Sequence, residues 1–291
     1  MAIYKKVLLA TDLAERSDHA RAAAVAFAKA EGAELHLLHI NVLSALHMEY
    51  RGLKKADEYV RTVMRASEKA LKEVPEEEGV KLVREVQTGQ SPGKMIMDYA
   101  SANNIDLICM GMDRAGGLKR FFMGSVAMTV LNGAKRPVCI VGRDTRGKIP
   151  PGHIVVATDL SEPSGLAVAH AAELAATFDT RFTVMHVIEP PLATPYDLKQ
   201  VMKEPDPKKG QKALDDFLGA LELAVAPETR IERGPSARTI SDSARRLNAD
   251  LLVVAAAGHA SSVERLLLGS TADRVARIAP CPVLVHRKRS R

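Results

Sequence analysis

The sequence repeats itself. LLATDLAE from Leu8 returns as VVATDLSE from Val155, and HLLHI from His36 returns as TVMHV from Thr183, both at a shift of 147 residues. Gly89 and Gly234, Asp106 and Asp250, Gly124-Ser125 and Gly269-Ser270, and Pro137 and Pro282 then correspond at shifts of 144 or 145. So steady a register over many positions marks the duplication of a whole unit, and each copy must bury its own core. The 291 residues divide accordingly into 1–146 and 150–291, each near the size of an ordinary domain. RGKIPPG, residues 146 to 152, with two glycines and two prolines, is the linker.

Within the first copy, strand-like and helix-like stretches alternate. KKVLLATDL reads as a strand, and an alanine-rich helix from about Ser17 to Ala30 follows until Gly32 stops it. AELHLLHI (33–40) is a second strand. Val60, Val63, Met64, Leu71 and Val74, with Ser67 as the one small polar member, then place one buried face on a long helix. KLVREVQTG (81–89) alternates as a strand, and Ser91-Pro92 opens another helix. The apolar run IDLICM (105–110) reads as a strand buried on both faces, and PVCIVGR from Pro137 as the last strand. Strand and helix by turns imply an α/β fold with a parallel sheet and helices on both faces. In the second copy, the proline- and charge-rich stretch from Glu189 to Gly210 interrupts this order before the long helix.

Composition narrows the function classes. The chain is 46% hydrophobic and 26% charged, but aromatic residues are 4% and tryptophan is absent, so stacking platforms for nucleic-acid bases are scarce. The balance of 41 basic against 35 acidic residues gives +6, with much of the excess in the terminal HRKRSR, a solvated basic end. Cys109, Cys139 and Cys281 have no metal-ligand spacing and read as buried thiols, for which a reducing cytoplasm is the simplest compartment. Neither a signal-peptide core nor a membrane-spanning run is expected.

Between the strand at 105–110 and the next helix lies GMDRAGGLKRFFMGS, Gly111 to Ser125. A helix that opens Gly124-Ser125 leaves its first N–H groups unpaired, and with the positive end of the helix dipole they suit an anion, most simply phosphate. Asp12 and Asp159, at the ends of matching strands, either hold a ligand (an adenine, a ribose or a magnesium ion) or cap the turn that follows. His36 and His39 are three apart in a strand and face opposite sides, so they form no chelating pair, and His39 and His186 read as strand-end histidines. No GxxxxGK[ST], GxGxxG or GxSxG motif is present. No catalytic residue and no protein metal site are therefore assigned. Asp12 and Asp113 leave slow phosphate-bond hydrolysis as the enzymatic alternative.

With these residues in view, the chain resembles the universal stress proteins, in their tandem two-domain form, over nearly its whole length. Nucleotide-binding members carry glycine, two residues, glycine, nine residues, then glycine with serine or threonine. The first copy reads Gly111, Met112, Asp113, Arg114, nine residues, Gly124, Ser125, and so matches in spacing and at three of the four marked positions. The resemblance implies a doubly wound fold of the adenine nucleotide alpha-hydrolase kind, with strand order 3-2-1-4-5 and the ligand at the strands' carboxyl ends where the order reverses. It implies ATP or AMP, with magnesium, as the ligand. Ala10, Thr11, Asp12, Ile40 and Met110 then lie on the base side, Gly111 near the ribose, and Gly124, Ser125 and Val126 near the phosphates. Arg114, with Lys119 or Arg120, replaces part of the backbone contact to phosphate.

The second copy departs further from that pattern. Aligning Asp250 with Asp106 puts Ala255 and Gly258 at the two glycines, with ten residues before Gly269-Ser270; keeping nine puts Ala256 and His259 there. Ala157, Asp159, Val187, Gly258, Gly269, Ser270 and Thr271 are its candidate site residues. The resemblance makes the chain a stress-response regulatory module that binds its nucleotide chiefly in the first domain and signals to a protein partner. It also implies pairing of the two last strands as an intramolecular pseudo-dimer, with a homodimer of chains as a further assembly and no membrane or nucleic-acid partner. A stress module with both sites empty is the remaining alternative.

Overall fold

The strands of each copy are runs of branched and aliphatic residues in which neighbours along the chain are buried together. In the first, Val7, Leu8 and Leu9 are each at most 2% exposed, which requires cover on both faces of the sheet. The computed structural model describes residues 2–14, 17–43, 54–112, 124–142, 145, 147–148, 150–190, 207–257 and 268–287. Two compact units result, Met1–Arg143 and Asp144–Arg291.

In the first unit the order is β1 (Lys6–Thr11), α1 (Asp18–Glu31), β2 (Glu34–Val42), α2 (Lys54–Glu73), β3 (Leu82–Gly89), α3 (Pro92–Ala102), β4 (Leu107–Met112), α4 (Ser125–Gly133) and β5 (Val138–Gly142). All strand pairs are parallel, and their spatial order is β3-β2-β1-β4-β5. The order reverses between β1 and β4, where crossovers leave to opposite sides and a crevice opens at the carboxyl ends.

The second unit runs β6 (His153–Thr158), α5 (Glu162–Phe178), β7 (Arg181–Ile188), α6 (Pro207–Gly219), β8 (Glu228–Arg233), α7 (Ser236–Arg246), β9 (Leu251–Ala255), α8 (Ser270–Ile278) and β10 (Val283–His286). Its parallel order, β8-β7-β6-β9-β10, is the same topology.

The expected punctuation is where the helices stop and start. Gly32 closes α1 in the left-handed conformation at φ 62, and Asp179 does the same for α5 at φ 48. Pro92 sits in the first turn of α3, where its missing N–H leaves no gap. On α2, Leu71 and Ser67 are buried, and Ser67 Oγ donates to Asn41 Oδ1 at 2.8 Å. Val74 lies just beyond that helix.

Two carboxylates tie strand beginnings together. Asp106, before β4, accepts from the backbone N–H groups of Lys5 (2.6 Å) and Lys6 (3.0 Å) through Oδ2. Asp250, before β9, accepts from Lys148 N through Oδ1 (2.8 Å) and from Gly152 N through Oδ2 (2.9 Å). They hold β1 against β4 and β6 against β9 at the amino ends, opposite the crevice. Among the described residues no helix is long and apolar enough to cross a membrane, and the three cysteines are buried free thiols.

Candidate functional site

The crevice is shaped first by the sharp turn that leaves β1. Thr11 Oγ1 accepts from Leu13 N at 3.0 Å, while Asp12 Oδ1 accepts from Ala14 N at 3.1 Å and Ser17 Oγ at 2.7 Å. These bonds reverse the chain so tightly that Leu13 takes φ 62, a left-handed conformation that costs a residue with a Cβ about 1–2 kcal/mol. The second unit repeats the device. Leu160 N donates to Thr158 Oγ1 at 3.0 Å, Ser161 N donates to Asp159 Oδ1 at 3.1 Å, and Leu160 stands at φ 65. The same strained turn thus recurs in both copies, at the strand end that borders each cleft. Both aspartates thus perform the turn-holding role, and both also line a cleft.

From β2, His39 Nδ1 donates to Thr11 O at 3.0 Å; from β7, His186 Nδ1 donates to Thr158 O at 2.9 Å. These rings fix the strand ends side by side. His36 turns to the other face, where Tyr99 Oη and Glu34 Oε1 hold it at 2.8 and 2.7 Å. Burial pulls its pKa below the usual histidine value, against the opposing pull of Glu34.

The far wall is the start of α4. Gly124 is the N-cap, Ser125 the first helical residue, and no side chain caps the helix. Its first turn contains no acidic residue. These features leave a helix N-terminus disposed toward an anion.

Ala10, Thr11, Asp12, Ile40, Met110, Gly111, Gly124, Ser125 and Val126 all line one cleft of about 330 Å³. Gly111 is inside β4, paired with Val141, rather than in the loop where the sequence placed it. The strand continues to Met112 because residues 111 and 112 still find ladder partners on β5. Arg114, Lys119 and Arg120 lie outside the described residues. Of the second set, Ala157, Asp159, Val187, Gly269, Ser270 and Thr271 line a cleft of about 360 Å³, and Gly258 lies outside the described residues.

Sequence reasoning missed the floor supplied by α3 and α7. Pro92 and Ile96 line the first cleft, Ser236 and Ile240 the second. Each pair is four residues apart and so shares a helix face, but only the packed helix shows which face meets the cleft. Ser17 and the 63% exposed Val42 were missed as well. Among the described residues no group of three His, Cys, Asp or Glu side chains is placed to hold a metal ion.

A duplicated, doubly wound α/β chain with a cleft at each topological switch point defines the class of protein. The family model of the universal stress proteins matches residues 3–142 and again 151–287, and the chain belongs to that family as a tandem of two such domains. A universal stress protein of Methanocaldococcus jannaschii is 35% identical over 143 residues, 46% of this chain and 81% of that relative. Among solved structures, a universal stress protein from Archaeoglobus fulgidus aligns with TM-score 0.63 at 23% identity, covering 98% of this chain and 97% of its own. A functionally unknown Pseudomonas aeruginosa protein aligns with TM-score 0.66 at 18% identity, covering 98% and 93%. At these identities the two structures share the fold.

Proposed function

We propose that the first cleft binds an adenine nucleotide, ATP or AMP, and that the chain acts as a stress-response regulatory module whose nucleotide occupancy is read by a protein partner. The observation that carries this reading is the meeting, in one cleft, of a strained strand end with an uncapped helix N-terminus. Ala10, Ile40 and Met110 give the base an apolar slot, and Gly111 lets a ribose approach the strand. The N–H groups of Ser125 and Val126 and the dipole of α4 receive phosphate. Magnesium is commonly held by one or two carboxylates together with substrate phosphates. Among the described residues Asp12 is the one carboxylate lining this cleft, and it fits that arrangement.

Thermal unfolding of the full chain with and without Mg-ATP tests the reading. Ligand at about 100 times its dissociation constant stabilises the folded state by about 2.7 kcal/mol, and an unshifted transition at millimolar ATP would overturn it. Phosphate release measured in the same samples distinguishes a binding module from a slow ATPase; the binding reading expects none above the buffer rate.

A further inference from the structure

The two units differ in how the long helix is seated on the strand beside the cleft. In the first, Leu38, Ile40 and Val42 of β2 line the cleft, so His39 and Asn41, which alternate with them, face the other side of the sheet. There Asn41, only 8% exposed, places Oδ1 2.8 Å from Ser67 Oγ of α2 and 3.2 Å from His39 Nε2. His39 Nδ1 in turn holds Thr11 O, at the strand end that borders the cleft. A protonated ring donates to Oδ1; a neutral ring, its proton on Nδ1, accepts at Nε2 from the amide NH2 turned to face it. The Ser67 hydroxyl donates or accepts, so Asn41 joins both partners in either state. A continuous polar chain runs from Thr11 through His39 and Asn41 to α2.

The second unit replaces the last two links together. The shift of 147 that pairs His39 with His186 puts Ile188 at the place of Asn41. Leu71 of α2 and Leu214 of α6 are the buried leucines of the corresponding helices, and four residues before them stand Ser67 and Gly210. A Cβ on Gly210 would meet Ile188 Cδ1 at 2.5 Å, so this glycine makes room for the isoleucine, and α6 rests on a methyl group where α2 is hydrogen-bonded. His186 still holds Thr158 O, but a hydrocarbon at position 188 carries no bond onward to the helix. The polar arrangement is the costlier one, since Asn41 Nδ2 is buried with no partner among the described residues. Of the described side chains of α2 only Ser67 and Leu71 are buried, so one of the two residues that seat the helix in the core is the one tied to the cleft.

We infer that Asn41 is a positioning residue that couples the strand end of the first cleft to α2, making α2 the element that carries occupancy of that cleft to the far side of the sheet. This rests on the reading of the first cleft as a nucleotide site. A ligand that orders Thr11 and the turn after it orders His39, Asn41 and α2 with it, whereas Ile188 breaks the same path in the second unit. The coupling is reciprocal, so loosening α2 also loosens the end of β1.

Hydrogen exchange of the full chain, read by NMR with and without ATP, tests this, with ATP binding measured by calorimetry on the same samples. ATP should slow exchange of the α2 amides around Ser67 by about fivefold or more. Ser67→Ala, which removes only the hydroxyl, should abolish that response, as should Asn41→Ile with Ser67→Gly, which installs the pair of the second unit. In the ligand-free chain Ser67→Ala should speed exchange of Leu13 N–H, which is bonded to Thr11 Oγ1, by a similar factor and leave Leu160 N–H unchanged. A role confined to packing α2 would leave Leu13 unmoved, and that result would overturn the inference. ATP that binds without altering α2, or a response that survives both variants, would also overturn it and leave the nucleotide reading intact. If ATP does not bind at all, the proposed function falls and the Leu13 rate alone decides: faster exchange in Ser67→Ala upholds the coupling, and an unchanged rate removes it.

Discussion

His170 of α5 and His286 of β10 lie with their ring centroids 4.9 Å apart. The His170 side chain is 11% exposed, and its Nδ1 is 3.9 Å from Glu173. Burial, and for His170 the neighbouring His286, lowers their pKa values to about 3 and about 4. Both rings are then neutral in the folded protein at pH 5, while in the unfolded chain they titrate near 6.5.

The folded state therefore binds fewer protons below pH 6.5, and stability falls as pH falls from there toward 4. Each histidine contributes a slope approaching about 1.4 kcal/mol per pH unit. His36 and His153, also lowered by burial, act in the same direction. Urea unfolding between pH 7.5 and 5 should show this loss, and His170→Phe with His286→Phe should flatten it. An equal slope in the double variant would exclude the pair as its source.

Asp106 and Asp250 predict unequal losses from the same substitution. Asp106 receives both backbone donors on one oxygen, so Asp106→Asn retains an acceptor for each and loses chiefly the charge. Asp250 uses both oxygens, so Asp250→Asn sets an amide NH2 against a backbone N–H. The expected costs are about 1 kcal/mol at Asp106 and about 2 kcal/mol at Asp250, while Asp106→Ala, which strands two donors at a buried site, should cost about 3 kcal/mol. Chemical denaturation of the three variants gives the order directly.

The repeat and the order of elements were legible because they rest on local patterns: apolar runs for strands, Gly32 and Pro92 as punctuation, and a shift that recurs. The strand ends Ala10 to Asp12 and the helix start at Gly124-Ser125 were legible for the same reason. The cleft floor was not, since whether Ile96 or another face of α3 turns inward is settled by packing between elements far apart in sequence. Nor was the difference between the two clefts. Gly124 and Gly269 look alike as letters, and the bond from Gly269 N to Ala256 O is visible only in the folded chain. The β4 boundary at Met112 moved past Gly111 because ladder partners on β5 override the weak strand propensity of glycine.

Arg114 stands where the nucleotide-binding pattern has its second glycine. A guanidinium meeting a phosphate forms charge-assisted, often bidentate bonds, each hydrogen bond to a charged group being worth about 1.5–3 kcal/mol. Arg114→Gly should therefore weaken ATP roughly tenfold to a hundredfold, with little change for adenosine. Unchanged or tighter ATP binding would show that the arginine has no part in holding phosphate.

Gly124 offers the sharpest separation of structure from function in the first cleft. Its φ of −57 is open to any residue, and a Cβ there would touch nothing within 4 Å, so the fold does not require glycine. Gly124→Ala should change stability by less than about 0.5 kcal/mol, as an unstrained exposed substitution does. A ligand phosphate seated on the start of α4 would meet the added methyl group directly. ATP affinity is then expected to fall at least about tenfold, equivalent to 1.4 kcal/mol, while the unfolding midpoint without ligand stays in place. Equal losses of stability and affinity would point to a conformational role for this glycine, and unchanged ATP binding would move the phosphates away from α4.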